Sequence, residues 1–189
     1  MKYLQISTPN TTQVVSTADL KTHLRITFSN DDTYIETLAM AAQQTLEKFC
    51  NIFLLETECN QYGFEISDLE ILFKSPILST FTPVLYVNQS ASWVAQSGVE
   101  FITNSKPARM YLNNTTIDTP DTNVTQKYKV NYKVGYDSAS DIPKPLIQAI
   151  KIIVADMYEN RQSVIVGKTV AEIPKTAEYL MQNYKVQTV

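Results

Sequence analysis

Apolar residues recur at helical spacing in two long segments of the chain. In "SNDDTYIETLAMAAQQTLEKFCN", residues 29–51, a turn of about 100° per residue puts Tyr34, Ile35, Leu38, Ala42, Thr45, Leu46 and Phe49 on one side. Glu36, Gln43, Gln44 and Glu47 fall opposite. Asn30 is placed to cap this helix, and Asp31 and Asp32 set negative charge at the positive end of its dipole. In "DIPKPLIQAIKIIVADMYENR", residues 141–161, a continuous stripe runs through Leu146, Ile147, Ile150, Ile153, Val154, Met157 and Tyr158. Asp141 is placed to cap it, and Pro143 falls in the first turn, where its missing N–H costs nothing. Two shorter helices accompany these. "STADLKTHLRI" starts at Ser16, with Asp19 three residues on as in a capping box and Ala18, Leu20 and Leu24 on one side. "PKTAEYLMQNYKV" starts at Pro174, with Ala177, Leu180, Met181 and Tyr184 together.

From Ile52 the period changes. "EISDLEILFKSPIL" and "PVLYVNQSASWVAQSGVEFI" contain short apolar runs broken by Ser, Pro, Asn and Gly, which predicts strands joined by turns. In "QKYKVNYKVGY", Tyr128, Val130, Tyr132 and Val134 alternate with Lys127, Lys129, Asn131 and Lys133, so one face of that strand is wet. "NNTTIDTPDTNVT", residues 113–125, reads as a polar loop. The predicted fold is α+β: a small four-helix bundle with an antiparallel β module inserted between helix 2 and helix 3. The expected divisions are an N-terminal arm at 1–15 with slight strand character near residues 3–6, a helical domain at 16–51 plus 141–185, the β module at 52–140, and a tail at 186–189.

Composition narrows the chemistry. Hydrophobic residues make up 44% and charged residues 19%, enough apolar material for a core and too few charges for a disordered chain. A net charge of −3 argues against a stand-alone nucleic-acid binder, and 4 glycines argue against phosphate-cradling loops. The first 17 residues lack a charged start followed by an apolar run, and no window is apolar enough to span a membrane. Cys50 and Cys59 form no CxxC pair, and with no secretory signal they are expected as reduced thiols. His23, the single histidine, has no Cys or Asp at ligand or triad spacing, so it reads as a helix-end residue. Asp68 with Glu70, or Asp118 with Asp121, sit in polar turns where solvated acids are ordinary. No catalytic residue, metal ligand or cofactor is indicated.

Two apolar residues do not fit their helices. Met40 lies among Glu36, Gln43 and Glu47, and Ile152 among Lys144, Gln148, Asp156 and Glu159. Isolated surface apolar residues are ordinary. The alternative is that each helix carries a second contact surface toward a neighbouring subunit. The closing Tyr158-Glu159-Asn160-Arg161 has the same two readings: a helix end with a cation suited to the dipole, or a contact site.

In their order, four fragments resemble the phage head–tail connector (adaptor) family, long form. "VSTADLKTHLRI" is similar to its V-S-x-x-x-x-K-x-H-L-R-I helix, and "DDTYIETLAMAA" to its acidic-capped D-D-x-x-I helix with A-A. "VGYDSASDIPKPLIQAI…YENR" resembles its G-Y, P-x-P-I-x-Q-A-I and Y/W-E-N-R series. "AEIPKTAEYLMQNYK" resembles its closing L-P-x-x-V-x-x-L-L-x-x-Y-R helix, with Lys185 where Arg is usual and Ala177 where Val is common.

The resemblance implies a structural virion protein, not an enzyme, that works without a cofactor. Such proteins form a ring under the portal, usually a dodecamer in the virion and often monomeric beforehand. They extend the DNA channel, let DNA pass without sequence readout, and offer a docking surface to the next neck or tail-completion protein. The expected place is the virion neck, after assembly in the host cytoplasm, with no membrane involved. Residues expected at a subunit or portal interface are Met40, Ile152, Asp156, Glu159, Arg161, Tyr184 and Lys185. A second reading makes the β module a binding protein for a small ligand or host surface through Tyr128, Tyr132 and Trp93.

Overall fold

The computed structural model describes residues 2–8, 10–90, 92–113, 116–160 and 173–187. The chain divides into two compact units. One holds residues 11–50 and 140–185; the other holds 1–10, 51–139 and 186–189. The chain therefore passes from the β unit to two helices, returns, leaves again for the last two, and comes back at Val186.

The helical unit contains α1 (Thr17–Leu24), α2 (Asp32–Cys50), α3 (Lys144–Glu159) and α4 (Lys175–Gln182). Helix α3 is central and packs on the other three. As expected, Ser16 caps α1: its hydroxyl oxygen accepts from the Asp19 N–H at 3.1 Å. The chain leaves α1 through Arg25 in the left-handed region, φ 59°. Asp32 begins α2 and is ion-paired with Lys21 at 2.7 Å.

The buried side of α2 is Ile35, Ala39, Ala42 and Leu46, with Gln43 and Cys50. This stripe is turned slightly from the expected one, and it takes in a glutamine assigned to the wet face. Gln43 stays because both ends of its amide are used. Its Oε1 accepts from Val14 N–H at 3.1 Å and its Nε2 donates to the Thr12 carbonyl at 3.3 Å, tying down the segment that enters α1. On α3 the buried residues are Leu146, Ala149, Ile150, Ile153 and Val154. Asp141 does not cap α3. It closes a short 3-10 turn (Ala139–Asp141), and Pro143 holds the cap position, its carbonyl accepting from Leu146 and Ile147.

The β unit contains a five-stranded antiparallel sheet in the order β1 (Tyr3–Thr8), β2 (Thr57–Gly63), β7 (Tyr128–Val134), β3 (Val84–Gln89), β4 (Ser92–Ala95). A hairpin of β5 (Val99–Ile102) and β6 (Arg109–Leu112) is paired separately. The four helices and the strands between α2 and α3 are as the sequence predicted; β1, from ahead of the helices, completes the sheet. On β7, Val130, Tyr132 and Val134 are buried, as their alternation requires.

The core lies between the large sheet and the hairpin. Cys59, Leu85, Val130, Tyr132 and Val134 from the sheet meet Ala108 and Met110 from the hairpin side, with Leu69 and Leu72 from the connecting stretch. Gln61 is buried in this core and fully used. Its Oε1 accepts from Phe73 N–H at 2.9 Å and from the Tyr132 hydroxyl at 3.2 Å, while Nε2 donates to the Ile71 carbonyl at 2.8 Å. It fastens the irregular 68–73 stretch over the sheet. Gly135 ends β7 at φ +119°, where an added Cβ would stand 2.5 Å from the Leu55 backbone, so only glycine fits.

Candidate assembly interface

Side chains directly opposite on antiparallel strands point to the same face. The register therefore fixes what the sheet shows on the side away from its core. One row crosses the strands: Tyr3 opposite Tyr62, Tyr62 opposite Lys129, Lys129 opposite Tyr86, with Trp93 of β4 on the same face. The Tyr3 and Tyr62 rings stack at 4.8 Å, and Tyr62 meets Trp93 at 5.7 Å, tilted. The Lys129 ammonium stands 4.6 Å from the Tyr86 ring and 4.9 Å from Trp93. Lys127, just ahead of β7, lies 4.1 Å over Phe64.

Burial lowers the pKa of Lys129, and the nearby Glu58 carboxylate raises it in part. Lys133, toward the other end of β7, is ion-paired with Glu56 at 2.7 Å. A polar row runs beside the aromatic one. Asn131 Nδ2 donates to Glu58 and to Asn60, and Asn60 donates on to Ser7.

The hairpin has a second, distinct surface. Met110 and Phe101 face the core, so Glu100, Ile102, Arg109 and Tyr111 face the other way. Ile102 is 44% and Tyr111 45% exposed. A cleft of about 340 Å³ opens at the hairpin, lined by Ile66, Glu70, Ile71, Arg109, Met110, Tyr111 and Leu112.

The residues expected from the sequence at an interface lie in the helical unit, and several have local work. Met40 and Ile152 are half-buried rather than free on wet faces. Asp156 Oδ1 accepts from Asn160 Nδ2 at 3.0 Å, a contact within the end of α3. Glu159 is exposed. Tyr184 is half-buried, and the exposed Lys185 places its ammonium 4.6 Å over the Phe49 ring. Arg161 lies outside the described residues. Tyr158 faces inward: its hydroxyl donates to Asp31 and its ring meets Tyr34 at 6.0 Å. Tyr179 of α4, 76% exposed, was not singled out by pattern because one apolar residue on a short wet face carries no period.

The structure does not gather Tyr128, Tyr132 and Trp93 into one binding surface. Tyr132 is fully buried and Tyr128 packs on the same core, while Trp93 is on the opposite face of the sheet. The thiols of Cys50 and Cys59 are buried and free. Burial pushes the Cys50 thiol up to about 11 and the Cys59 thiol up to about 12, so neither is a poised nucleophile. No helix among the described residues is long and apolar enough to cross a membrane.

Comparison with known proteins bears out the connector resemblance. The family model for phage gp6-like head-tail connector proteins matches residues 16–75, which include α1, α2 and β2. No curated protein matches the chain. Among solved structures, a chain from the neck of an empty GTA particle computed with C6 symmetry superposes with a TM-score of 0.77 at 16% identity, covering 99% of this chain and 97% of that one. A chain in the virion of a native gene transfer agent (GTA) particle gives 0.75 at 17%, covering 98% and 96%. One from the neck of a native GTA particle computed with C12 symmetry gives 0.73 at 16%, covering 99% and 97%. At these identities the likeness is one of fold, and it takes in both units.

Proposed function

We propose that this chain is a head–tail connector, a structural component of a virion neck that stands in repeated copies around the particle axis. The observation that carries the reading is a coincidence of two likenesses. The connector family matches the segment containing α1 and α2, and nearly the whole chain shares its fold with chains of GTA necks. The C6 and C12 symmetries of those necks support a ring.

In this reading the helical unit forms the ring body beneath the portal and the C-terminal segment engages the portal. The ring extends the DNA channel and offers the next neck or tail-completion protein a surface on which to dock. Met40, Ile152, Asp156, Glu159, Arg161, Tyr184 and Lys185 are the helical-unit positions assigned to subunit or portal contact. Glu159 and Lys185, both exposed, are the most accessible of the described ones. The net charge of −3 suits a passage that must release DNA.

The test is native mass spectrometry of the full chain mixed with the portal protein of the same particle. Ring-sized species on the portal are expected. A chain that stays monomeric and never binds the portal contradicts the reading. In the same assay, replacing Glu159 and Arg161 together by Ala should lower ring formation; unchanged rings would return that terminus to an ordinary helix end.

A further inference from the structure

We propose that the free edge of strand β1 is completed in the particle by an extended segment of the neck or tail-completion protein that docks on the ring. The choice of occupant rests on the connector reading above. Strand β1 ends the strand order and has only β2 beside it. The bonding pattern across the sheet shows which of its main-chain groups point outward. Asn88 N–H donates to the Lys127 carbonyl and Leu78 N–H to the Lys133 carbonyl, so the odd-numbered residues of β7 bond away from β2. Its even-numbered residues therefore bond to β2, and β2 in turn meets β1 through Asn60 with Gln5 and Tyr62 with Tyr3. Leu4 and Ile6 turn their N–H and C=O groups outward. Among the described residues nothing bonds to those groups.

The edge is built for pairing. Exposed edges are commonly blunted by charge or proline, and Tyr3–Thr8 holds neither. The charges of the sheet sit instead on β2 and β7, at Glu58, Lys129 and Lys133. A bulge between Ile6 and Thr8 confines the regular edge to Tyr3–Ile6. Leu4 and Ile6 stand opposite the buried Gln61 and Cys59, hence on the core face, yet Ile6 is 42% exposed. The apolar core face thus runs out uncovered at this edge. Outward main-chain groups beside apolar side chains fit an extended peptide, which bonds to the first and packs alternate residues on the second. The segment is apolar and uncharged where it flanks Leu4 and Ile6, with no proline at the residues paired with them. A second copy does not fit this place. Strand β1 against β1 would join copies in pairs, not in a ring. A sheet continued from β4 into the next β1 would turn the strand direction by roughly 100° or more per copy, at about 20–25° per strand. Neighbours in a C6 or C12 ring differ by only roughly 60° or 30°. Portal contact is assigned above to the helical unit, which leaves the docking protein.

Amide hydrogen exchange on the full chain tests this without any substitution. In rings on the portal, the Gln5 amide, bonded to β2, should exchange slowly and the Leu4 and Ile6 amides fast. Adding the downstream neck or tail-completion protein of the same particle should slow the Leu4 and Ile6 amides by roughly tenfold or more. A second readout uses Ile6→Lys, which sets a charge on the edge where the side chain is already partly exposed. Its rings should still form on the portal and should bind the docking protein roughly tenfold or more weakly. Leu4 and Ile6 amides already slow in rings on the portal alone would overturn the proposal. So would amides that stay fast once the docking protein is bound, or undiminished docking on Ile6→Lys rings. Each of these leaves the connector reading standing. Failure of the unaltered chain to form rings at all would overturn both.

Discussion

The two faces of the five-stranded sheet are built from the same strands, and often from adjacent residues, yet they do different work. Toward the core stand Cys59, Gln61, Val130, Tyr132 and Val134, each 0% exposed. Toward the outside stand Tyr62, Lys129, Asn131 and Tyr86, all half-exposed. Tyr132 is closed in among apolar groups and its hydroxyl is held by Gln61, whereas the outer tyrosines stack on one another in view of solvent. The difference teaches that aromatic content alone does not separate a core from a contact surface. The register does, because a shift of one residue would exchange the two sets.

Substitutions should separate the faces by what they damage. Tyr132→Ala should cost the most, about 3–5 kcal/mol, since it empties a large buried volume and leaves part of the Gln61 network unmatched. Urea denaturation measures this, and a loss under about 1 kcal/mol would show that the inner face is not the core described. Gly135→Ala should follow at about 3 kcal/mol, from a left-handed φ and a collision with the Leu55 backbone. Gln61→Ala should cost about 1–3 kcal/mol by leaving the Phe73 N–H and Ile71 carbonyl without their partner.

The Cys59 thiol gives a pH-dependent view of the inner face. Its folded pKa, about 12, is above the ordinary value of 9.0 because burial disfavours the thiolate. The folded state thus holds the proton more tightly than the unfolded state. The associated stability is fully present below about pH 9 and is lost as pH rises from there toward 12. At pH 10 the loss should be roughly 1 kcal/mol relative to pH 8. Cys59→Ala should show a correspondingly smaller difference between those two pH values; an identical difference would contradict the assignment. The outer face should respond least in stability. Lys129→Gln should stay within about 1 kcal/mol of the unaltered chain in the same denaturation assay. A larger stability loss would make the row part of the core instead.

The helices were legible because a helix writes its buried face into the chain every three or four residues. The stripe on α3 and the Ser16 cap of α1 follow directly from that. Gln43 was misplaced on the wet side because a wheel knows polarity but not partners: the groups that make its burial tolerable, Val14 N–H and the Thr12 carbonyl, lie outside the helix. Asp141 was a reasonable cap by residue type, yet the chain turns once more before α3 and Pro143 takes the position. In the β unit, the alternation on β7 was plain. What could not be read was which strands lie beside it, and the aromatic row exists only through that order. Tyr3 comes from the start of the chain and Trp93 from its middle, and nothing in their spacing joins them. The family resemblance named a kind of assembly, and the interface positions expected with it all fall in the helical unit.

The central claim is that this chain is a repeated component of a neck. Electron cryomicroscopy of the purified particles that carry it tests this most directly. The account predicts density for the two-unit fold in a closed ring at the head–tail junction. Particles complete with head, neck and tail in which no copy of this fold stands at that junction would contradict it.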